Sequence, residues 1–356
     1  MGTWKSTNGN TVSVLPFTDS GYKFITLDCE ETIGGKIAGG LLTMVHDGNS
    51  EAHKLITEQE TVDIELGTTK TGVIMTVHGT IMSRHYYRNF LNIEFMCAPE
   101  KSFFTDRGQL VFDNIDSAIK SLWKGKLDIR TKTDLPNGIS LNQAGELNNK
   151  FLGTLCGSYK KNTIYALGLD CLLIKDLIGI DSTGNKEPYL PLLGEGCNVV
   201  QGEDNKFNLN YDYKLYKSPE DPWKEVTSDP SLNISAQIFN NKYRLIHKDY
   251  NILRENLYNN QKLYNSRMYN NLQVTNTVCL QKFRLGDVVK YYRPGEKTSI
   301  PFETYIISKI RYHYRTEPGS NGESEKLPFY QTYTLHGLEE KGKILNESDP
   351  KDQDEK

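Results

Sequence analysis

The 356-residue chain has no run approaching about 18 consecutive apolar residues, so nothing in it reads as a membrane-inserted segment. Its opening, "MGTWKSTNGNTVSV", lacks the apolar stretch behind a basic residue that marks a secretory leader. The six cysteines, Cys29, Cys97, Cys156, Cys171, Cys197 and Cys279, never fall at C-x-x-C spacing, and several sit in apolar runs such as "EFMCA" and "DCLLI". They read as reduced core residues rather than a disulfide framework. An excess of charge of either sign is missing too. The stretch Glu339–Lys356, with seven acids and four lysines, accounts for the whole formal net charge of −3. A neutral body excludes a protein that tracks phosphates along a basic stripe, so no sequence-specific contact with nucleic acid is expected.

Catalytic and metal-binding signatures are absent as well. None of the seven histidines (His46, His53, His78, His85, His247, His313 and His336) belongs to an H-E-x-x-H motif or pairs with a cysteine at zinc spacing. "GEGCNVV", Gly194 to Val200, lacks the third glycine of a dinucleotide fingerprint and precedes strand rather than helix. No nucleophile elbow or Walker A loop occurs. Glu30 with Glu31, or Glu60 with Glu65, supplies the carboxylates of a glycosidase dyad, but surface carboxylates are too common for that to carry weight. His85 beside Tyr86 and Tyr87 reads as a packed or rim histidine rather than a base. The Asn-x-Ser sequences at Asn233 and Asn346 are read as chance. No catalytic residue, cofactor or metal site is therefore expected, and the weight moves to a structural or binding role.

What the chain does have is strand. Residues 11–97 hold "TVSVLPF", "YKFITLDCE", "GKIAGGLLTMVHD", "TVDIEL", "GVIMTVHGTIMSRHYY" and "FLNIEFMCA", rich in β-branched and aromatic residues and punctuated by turn sequences. Short antiparallel strands with tight turns suggest a barrel or sandwich. Gly34, Gly35, Gly39 and Gly40 mark a bend or bulge at the start of the third run. The chain's 21 tyrosines suit half-buried strands or, alternatively, interfaces.

After Pro99 the period changes. Ile115, Ala118, Ile119, Leu122 and Trp123 form one helix stripe, with Asp113 or Asn114 as its cap and Gly125 as its stop. A strand, "LDIRT", precedes a second helix carrying Leu147, Phe151, Leu152 and Leu155 and ending at Gly157. Strands "TIYALGL" and "CLLIKDL" follow, completing a small α/β module. Strand signals return from Cys197 to Ser218 and again from Val274 onward. "FRLGDVVKYY" reads as a turn at Leu285-Gly286-Asp287 feeding a strand, paired back by "FETYIISKIRYHYR" and then "FYQTYTLHGL". Between them Tyr243, Ile246, Tyr250, Leu253 and Leu257 repeat at steps of three and four, a helix stripe that either packs on its own chain or faces a neighbouring subunit.

The fold class read from this order is α+β and mostly β: two similar antiparallel β-barrels with α/β modules between and inserted. The boundaries are 1–98 for the first barrel, 99–180 for the α/β module, and 181–217 plus 274–340 for the second barrel. Residues 218–273 read as an inserted helical or irregular region, and 341–356 as a disordered acidic tail.

This arrangement resembles the baseplate hub proteins of contractile-tailed phages and the related spike-hub proteins of type VI secretion and other contractile injection systems. The resemblance lies in Leu285, Gly286, Asp287 and Val289, then Tyr305, Ile306, Ile307, Ile310 and His313, then Tyr330, Thr332, Thr334 and Leu335. It extends back through "VFDNIDSAIKSLWKG", "QAGELNNKFLGTLCGSY" and "TIYALGLDCLLIKD" to "VDIELG" and "MTVHGTIMSRHYYRNFLNIEFMCA". It implies a homotrimer whose two barrels per chain form a pseudo-sixfold ring, a symmetry adaptor between tail tube and spike. The implied partners are the tail-tube ring proteins above, the central spike protein below, and the tape-measure protein and other baseplate components. The implied location is the virion tail, assembled in the host cytoplasm. The alternative from another class is a tail-associated carbohydrate-binding protein or hydrolase on a β scaffold.

Overall fold

The computed structural model describes residues 3–6, 9–15, 17, 22–46, 60–98, 100–108, 111–112, 114–131, 140–143, 145–157, 163–176, 192–193, 204–205, 213–215, 224–226, 239–240, 245–246, 271–277, 280–281, 283–291, 305–316, 329–337, 339–340 and 343–344. The N-terminal β block comprises β1 (Trp4–Lys5), β2 (Asn10–Leu15), β3 (Tyr22–Thr32), β4 (Gly34–Ile37), β5 (Gly39–His46), β6 (Thr61–Thr68), β7 (Gly72–Tyr87) and β8 (Phe90–Met96). Helix α1 (Ser102–Thr105), β9 (Val111–Phe112), helix α2 (Ile115–Leu122), β10 (Leu127–Arg130), β11 (Ser140–Asn142), helix α3 (Asn148–Gly157), β12 (Thr163–Leu167) and β13 (Leu172–Asp176) follow. Short strands come next: β14 (Leu192–Leu193), β15 (Asp204–Asn205), β16 (Tyr213–Leu215), β17 (Lys224–Val226), β18 (Phe239–Asn240) and β19 (Leu245–Ile246). The C-terminal block is β20 (Asn271–Asn276), β21 (Val288–Tyr291), β22 (Tyr305–Arg315) and β23 (Phe329–Gly337), with a small hairpin of β24 (Glu339–Glu340) and β25 (Lys343–Ile344).

Alternation sets the main sheet. Along β2 and β6 the valines, isoleucines and leucines at every second position are buried and the polar residues between them face out. Curling of this sheet wraps one core around those inward faces. Strand order among the described residues is β1-β2-β6-β7-β8-β5-β3-β22-β23-β20-β15, with β21 and β14 attached beside β22. The two β blocks of the sequence thus lie in one sheet, joined where Lys309–Arg315 of β22 run antiparallel to Thr32–Thr26 of β3. Pairing these two 11-residue strands leaves neither as a bare edge. The core beneath is shared, from Val12 and Leu27 of the first block to Tyr312, Tyr333 and Leu335 of the second. Four tyrosines, Tyr305, Tyr312, Tyr314 and Tyr333, are among its largest fully buried side chains, so much of the tyrosine content serves strand packing.

The α/β module covers one end. Its sheet runs β10-β13-β12-β4, and β4 is contributed by the N-terminal block. The chain leaves the main sheet after β3, turns at Gly34 with φ +104°, lies parallel to β12, and returns as β5. The expected glycine-marked bend is this excursion, and a side chain at Gly34 would be strained by the backbone alone. Helices α2 and α3 cover the small sheet through a second core containing Ile115, Ala118, Ile119, Phe151, Leu152 and Leu155. Asn114 caps α2 by accepting the Ser117 N–H at 2.7 Å. The helix stops at Trp123, two residues before Gly125, because Trp123 turns to extended backbone and its indole N–H donates to the Lys126 carbonyl at 3.0 Å.

Two expectations meet a different local structure. Ile246, placed on a helix stripe by periodicity, lies in strand β19 (Leu245–Ile246), which pairs antiparallel with Ser140 and Leu141 of β11. A non-local strand partner outweighs the local period there. Lys343–Ile344, expected in the disordered tail, pair with Glu339–Glu340, while 345–356 lie outside the described residues.

Candidate functional site

Three stretches distant in sequence converge on the side chain of Glu31. Strand alternation sends consecutive residues of β3 to opposite faces, so Glu30 points outward and Glu31 into the core. Glu30 is paired with Lys309 at 2.7 Å and also with Lys36. Two side chains on opposite faces cannot act as a dyad on one substrate. Glu31 is 4% exposed. One carboxylate oxygen accepts the Leu169 backbone N–H at 3.1 Å, and the other accepts the Tyr312 hydroxyl at 3.1 Å. Burial pushes its pKa up to about 7, with Asp170 adding to the rise and the Leu169 N–H, Arg284 and Tyr312 opposing it.

Around Glu31 lies a cavity of about 100 Å³ whose lining alternates in charge: Asp128, Asp170, Lys126, Arg130 and Arg284. Arg284 reaches Asp170 at 3.5 Å and donates to the Ile74 carbonyl at 3.2 Å. Asp170 also meets Lys126 at 3.4 Å, and Arg130 is paired with Asp128. Beside it the fully buried Lys175 donates to the Gly286 carbonyl at 2.8 Å. Gly286 has φ +81°, the conformation required by the Leu285-Gly286-Asp287 turn expected from the sequence. Asp287 closes that turn by accepting the Arg284 N–H at 2.9 Å. The first β block (Glu31, Ile74), the α/β module (Leu169, Asp170, Lys175) and the second β block (Arg284, Gly286, Tyr312) are thereby locked together by charge-assisted bonds.

On the outer face of the same seam, Arg311 grips Asp28 through Nε and Nη2, at 2.8 and 2.5 Å, while His313 approaches it at 3.4 Å. Partial burial by itself would raise the Asp28 carboxyl. Hydrogen bonds from His313 and Arg311 outweigh it and hold the group well below the usual carboxylate range. His313 also stacks on Tyr330, with centroids 4.5 Å apart.

A second, larger groove of about 370 Å³ opens between the first β block and the module, lined by Thr61, Asp63, His78, Trp123 and Leu169 among others. At its mouth the Nδ1 atom of His78 lies 2.8 Å from an Asp63 oxygen. Seven residues farther along β7 from His78, His85 is exposed and 3.3 Å from the Ser83 hydroxyl, which agrees with a rim histidine. Among the described residues no group of three or more His, Cys, Asp or Glu side chains is placed to hold a metal. Also among them, no helix is long and apolar enough to cross a membrane. Cys29, Cys97 and Cys156 are buried free thiols, as expected, and Cys171 is a half-buried one.

Of the stripe residues singled out as a candidate subunit interface, Tyr243, Tyr250, Leu253 and Leu257 lie outside the described residues, and Ile246 is in β19. Sequence reasoning raised Glu31 only as half of a carboxylate pair and did not find Asp170, Arg284 or Lys175. The signal available for Glu31 was its place in an alternating strand, where Leu27, Cys29 and Glu31 share the inward face.

The chain is therefore built as one large curled antiparallel sheet with a helix-covered module locked against it. The sequence matches no family model and no curated protein. Solved structures do match the fold. The 43 kDa tail protein of prophage MuSo2 from Shewanella oneidensis aligns at 12% identity and a TM-score of 0.53, over 88% of this chain and 94% of that one. A chain of the half-lidded Francisella PdpA-VgrG complex aligns at 10% identity and a TM-score of 0.52, over 92% of this chain and 58% of that one. At these identities the likeness is one of fold, and it agrees with the hub-protein resemblance carried by the order of elements.

Proposed function

We propose that the chain is a structural component of a phage tail: the hub of a baseplate, acting as a homotrimeric adaptor between the sixfold tail tube and the threefold central spike. The observation that carries this reading is the fold shared with a prophage tail protein over nearly the full length of both chains. The PdpA-VgrG likeness supports it by extending the same fold to a second assembly. The locked seam is suited to such a part. An adaptor that transmits force between rings needs its β blocks held as one rigid unit, and the Glu31, Asp170 and Arg284 cluster ties them together from within. The proposed role is structural, with no turnover of its own. Its proposed partners are the tube ring proteins, the spike protein and neighbouring baseplate components, in the virion tail.

A ring of three copies uses heterologous contacts that close on themselves. Light scattering on the purified protein tests this. The expected mass is three times the 40.6 kDa of the chain, with no hydrolysis of host-wall saccharides. A monomer at every concentration, or saccharide turnover, would overturn the reading.

A further inference from the structure

Past the point where β7 leaves its partner β6, the hairpin of β7 and β8 goes on as a corner of the main sheet, with β5 still paired along β8 as far as Val45 opposite Phe90. Thr80 pairs with both Thr61 and Met96, and from there to the tip β7 pairs with β8, ending at Tyr87 opposite Phe90. Seven residues at about 3.3 Å each put the tip roughly 20 Å from Thr80. That tip is apolar and cationic at once. Tyr87 is 66% exposed, and Tyr86 and Phe90 are each 43% exposed. From Arg84 to Asn92 the sequence "RHYYRNFLN" contains two arginines and a histidine and no acid.

The tip is also held in an unfavourable conformation. Arg88, at the turn, has φ +54°, the only positive φ on a non-glycine residue among the described residues. Its guanidinium carbon sits 5.4 Å from the centroid of the Tyr87 ring. A glycine would make this turn without strain. Here an arginine stands where its backbone is costly, and such outliers cluster at active sites, ligand clamps and switch regions.

The complement to this knob is on the other end of the same strand. On the outer face of β2, β6 and the first half of β7, the described residues include Glu65, Asp63, which already lies 2.8 Å from His78, and neither Lys nor Arg; Glu60 is exposed just ahead of β6, and the adjoining cation is Lys5 of β1, opposite Thr11. Beneath that rim is the 370 Å³ groove walled by Trp123 and Leu169, a size that takes a pair of aromatic side chains. Its lysine, Lys126, is engaged by Asp170. Measured along β7, the tip lies about 20 Å from Thr80, which is next to the groove-lining Gly79, so it does not reach the groove of its own chain and can meet only that of another copy. Knob and socket are different patches, which makes the contact heterologous, the kind that closes into a ring.

We infer that the β7–β8 hairpin is the assembly arm of this protein, inserting Tyr87 and Phe90 into the Thr61–Asp63–Trp123 groove of a second copy of the chain, with Arg88 meeting the Asp63 and Glu65 carboxylates. This rests on the homo-oligomeric reading above.

Light scattering across a dilution series tests it on the full chain, with melting temperature read in parallel. Arg88→Glu, and separately Tyr87→Ser with Phe90→Ser, should raise the concentration for half-assembly at least about tenfold, the range lost when interface anchors are removed. Asp63→Lys with Glu65→Lys should do the same. Joining Arg88→Glu with those two lysine changes in one chain should recover association. Arg88→Gly relieves the turn, so it should keep or raise the melting temperature while still weakening assembly. A wild-type oligomer indifferent to every arm variant, or failure of the combined variant to recover, overturns the arm. A wild-type chain that is monomeric throughout overturns the assembly reading itself and the arm with it.

Discussion

At the scale of single residues, Glu31 has the most to say about how this chain is held. Its folded pKa of about 7 lies above the ordinary 4.5, so the folded state binds its proton more tightly than the unfolded chain does. That contribution to stability is fully present below about pH 4.5 and is lost as pH rises through 7. Integrated over that window it amounts to about 3 kcal/mol. Glu31→Gln keeps an oxygen for the Leu169 N–H and an amide N–H that can donate to the Tyr312 oxygen, and it carries no charge to desolvate. The variant should therefore gain stability over the parent at pH 8, by up to about 3 kcal/mol, and match it near pH 4.5. Urea unfolding at the two pH values measures this, and an equal difference at both would separate Glu31 from the pH dependence. Asp28, three residues back along β3 and on its opposite face, has the opposite sign. Its pKa is depressed, so the support from Arg311 and His313 persists at neutral pH and fades only in acid below the ordinary carboxylate range.

Among elements, α2 is the one whose sequence and structure agree most closely. Ile115, Ala118, Ile119 and Leu122 are all buried, as a 3.6-residue period requires, and Asn114 is its cap. Asn114→Ala removes the acceptor for the Ser117 N–H and should cost about 1 kcal/mol, read as a lower urea midpoint with an unchanged slope. The turn at Gly286 was equally legible, since Leu-Gly-Asp before a β-branched run names both the turn and the strand it feeds. Strand β19 was not. The spacing of Tyr243, Ile246 and Tyr250 fits a helix, and only the pairing of Leu245–Ile246 with β11 makes it extended. Similarly, β4 sits in a glycine-marked run whose bend was readable, but nothing local says that it adds an edge to the sheet of a module more than a hundred residues away.

For the whole molecule, the two β blocks share one sheet and one core, and this sets how the chain unfolds. Residues 1–98 by themselves would leave β3 without β22 and open the core where Tyr312, Tyr314 and Leu335 fill it. That fragment should show no cooperative thermal transition by circular dichroism, whereas the full chain melts with both blocks in one step. A fragment as stable as the parent would show the seam to be a contact between independent domains rather than part of one fold.

The amino-acid sequence by itself determined the conformation of most described elements and the face each one buries, because period, cap and turn chemistry act within a few residues. It also determined the absence of catalytic and metal-binding motifs. The tertiary structure alone decided which edges meet: β3 with β22, β4 with β12, β11 with β19. Any exposed strand edge offers the same backbone donors and acceptors, so its partner is chosen by the packing of side chains that are distant in sequence. The fate of Glu31 followed from that choice. Alternation turned it inward, and only the arrival of Leu169, Arg284 and Tyr312 around it made a buried carboxylate tolerable.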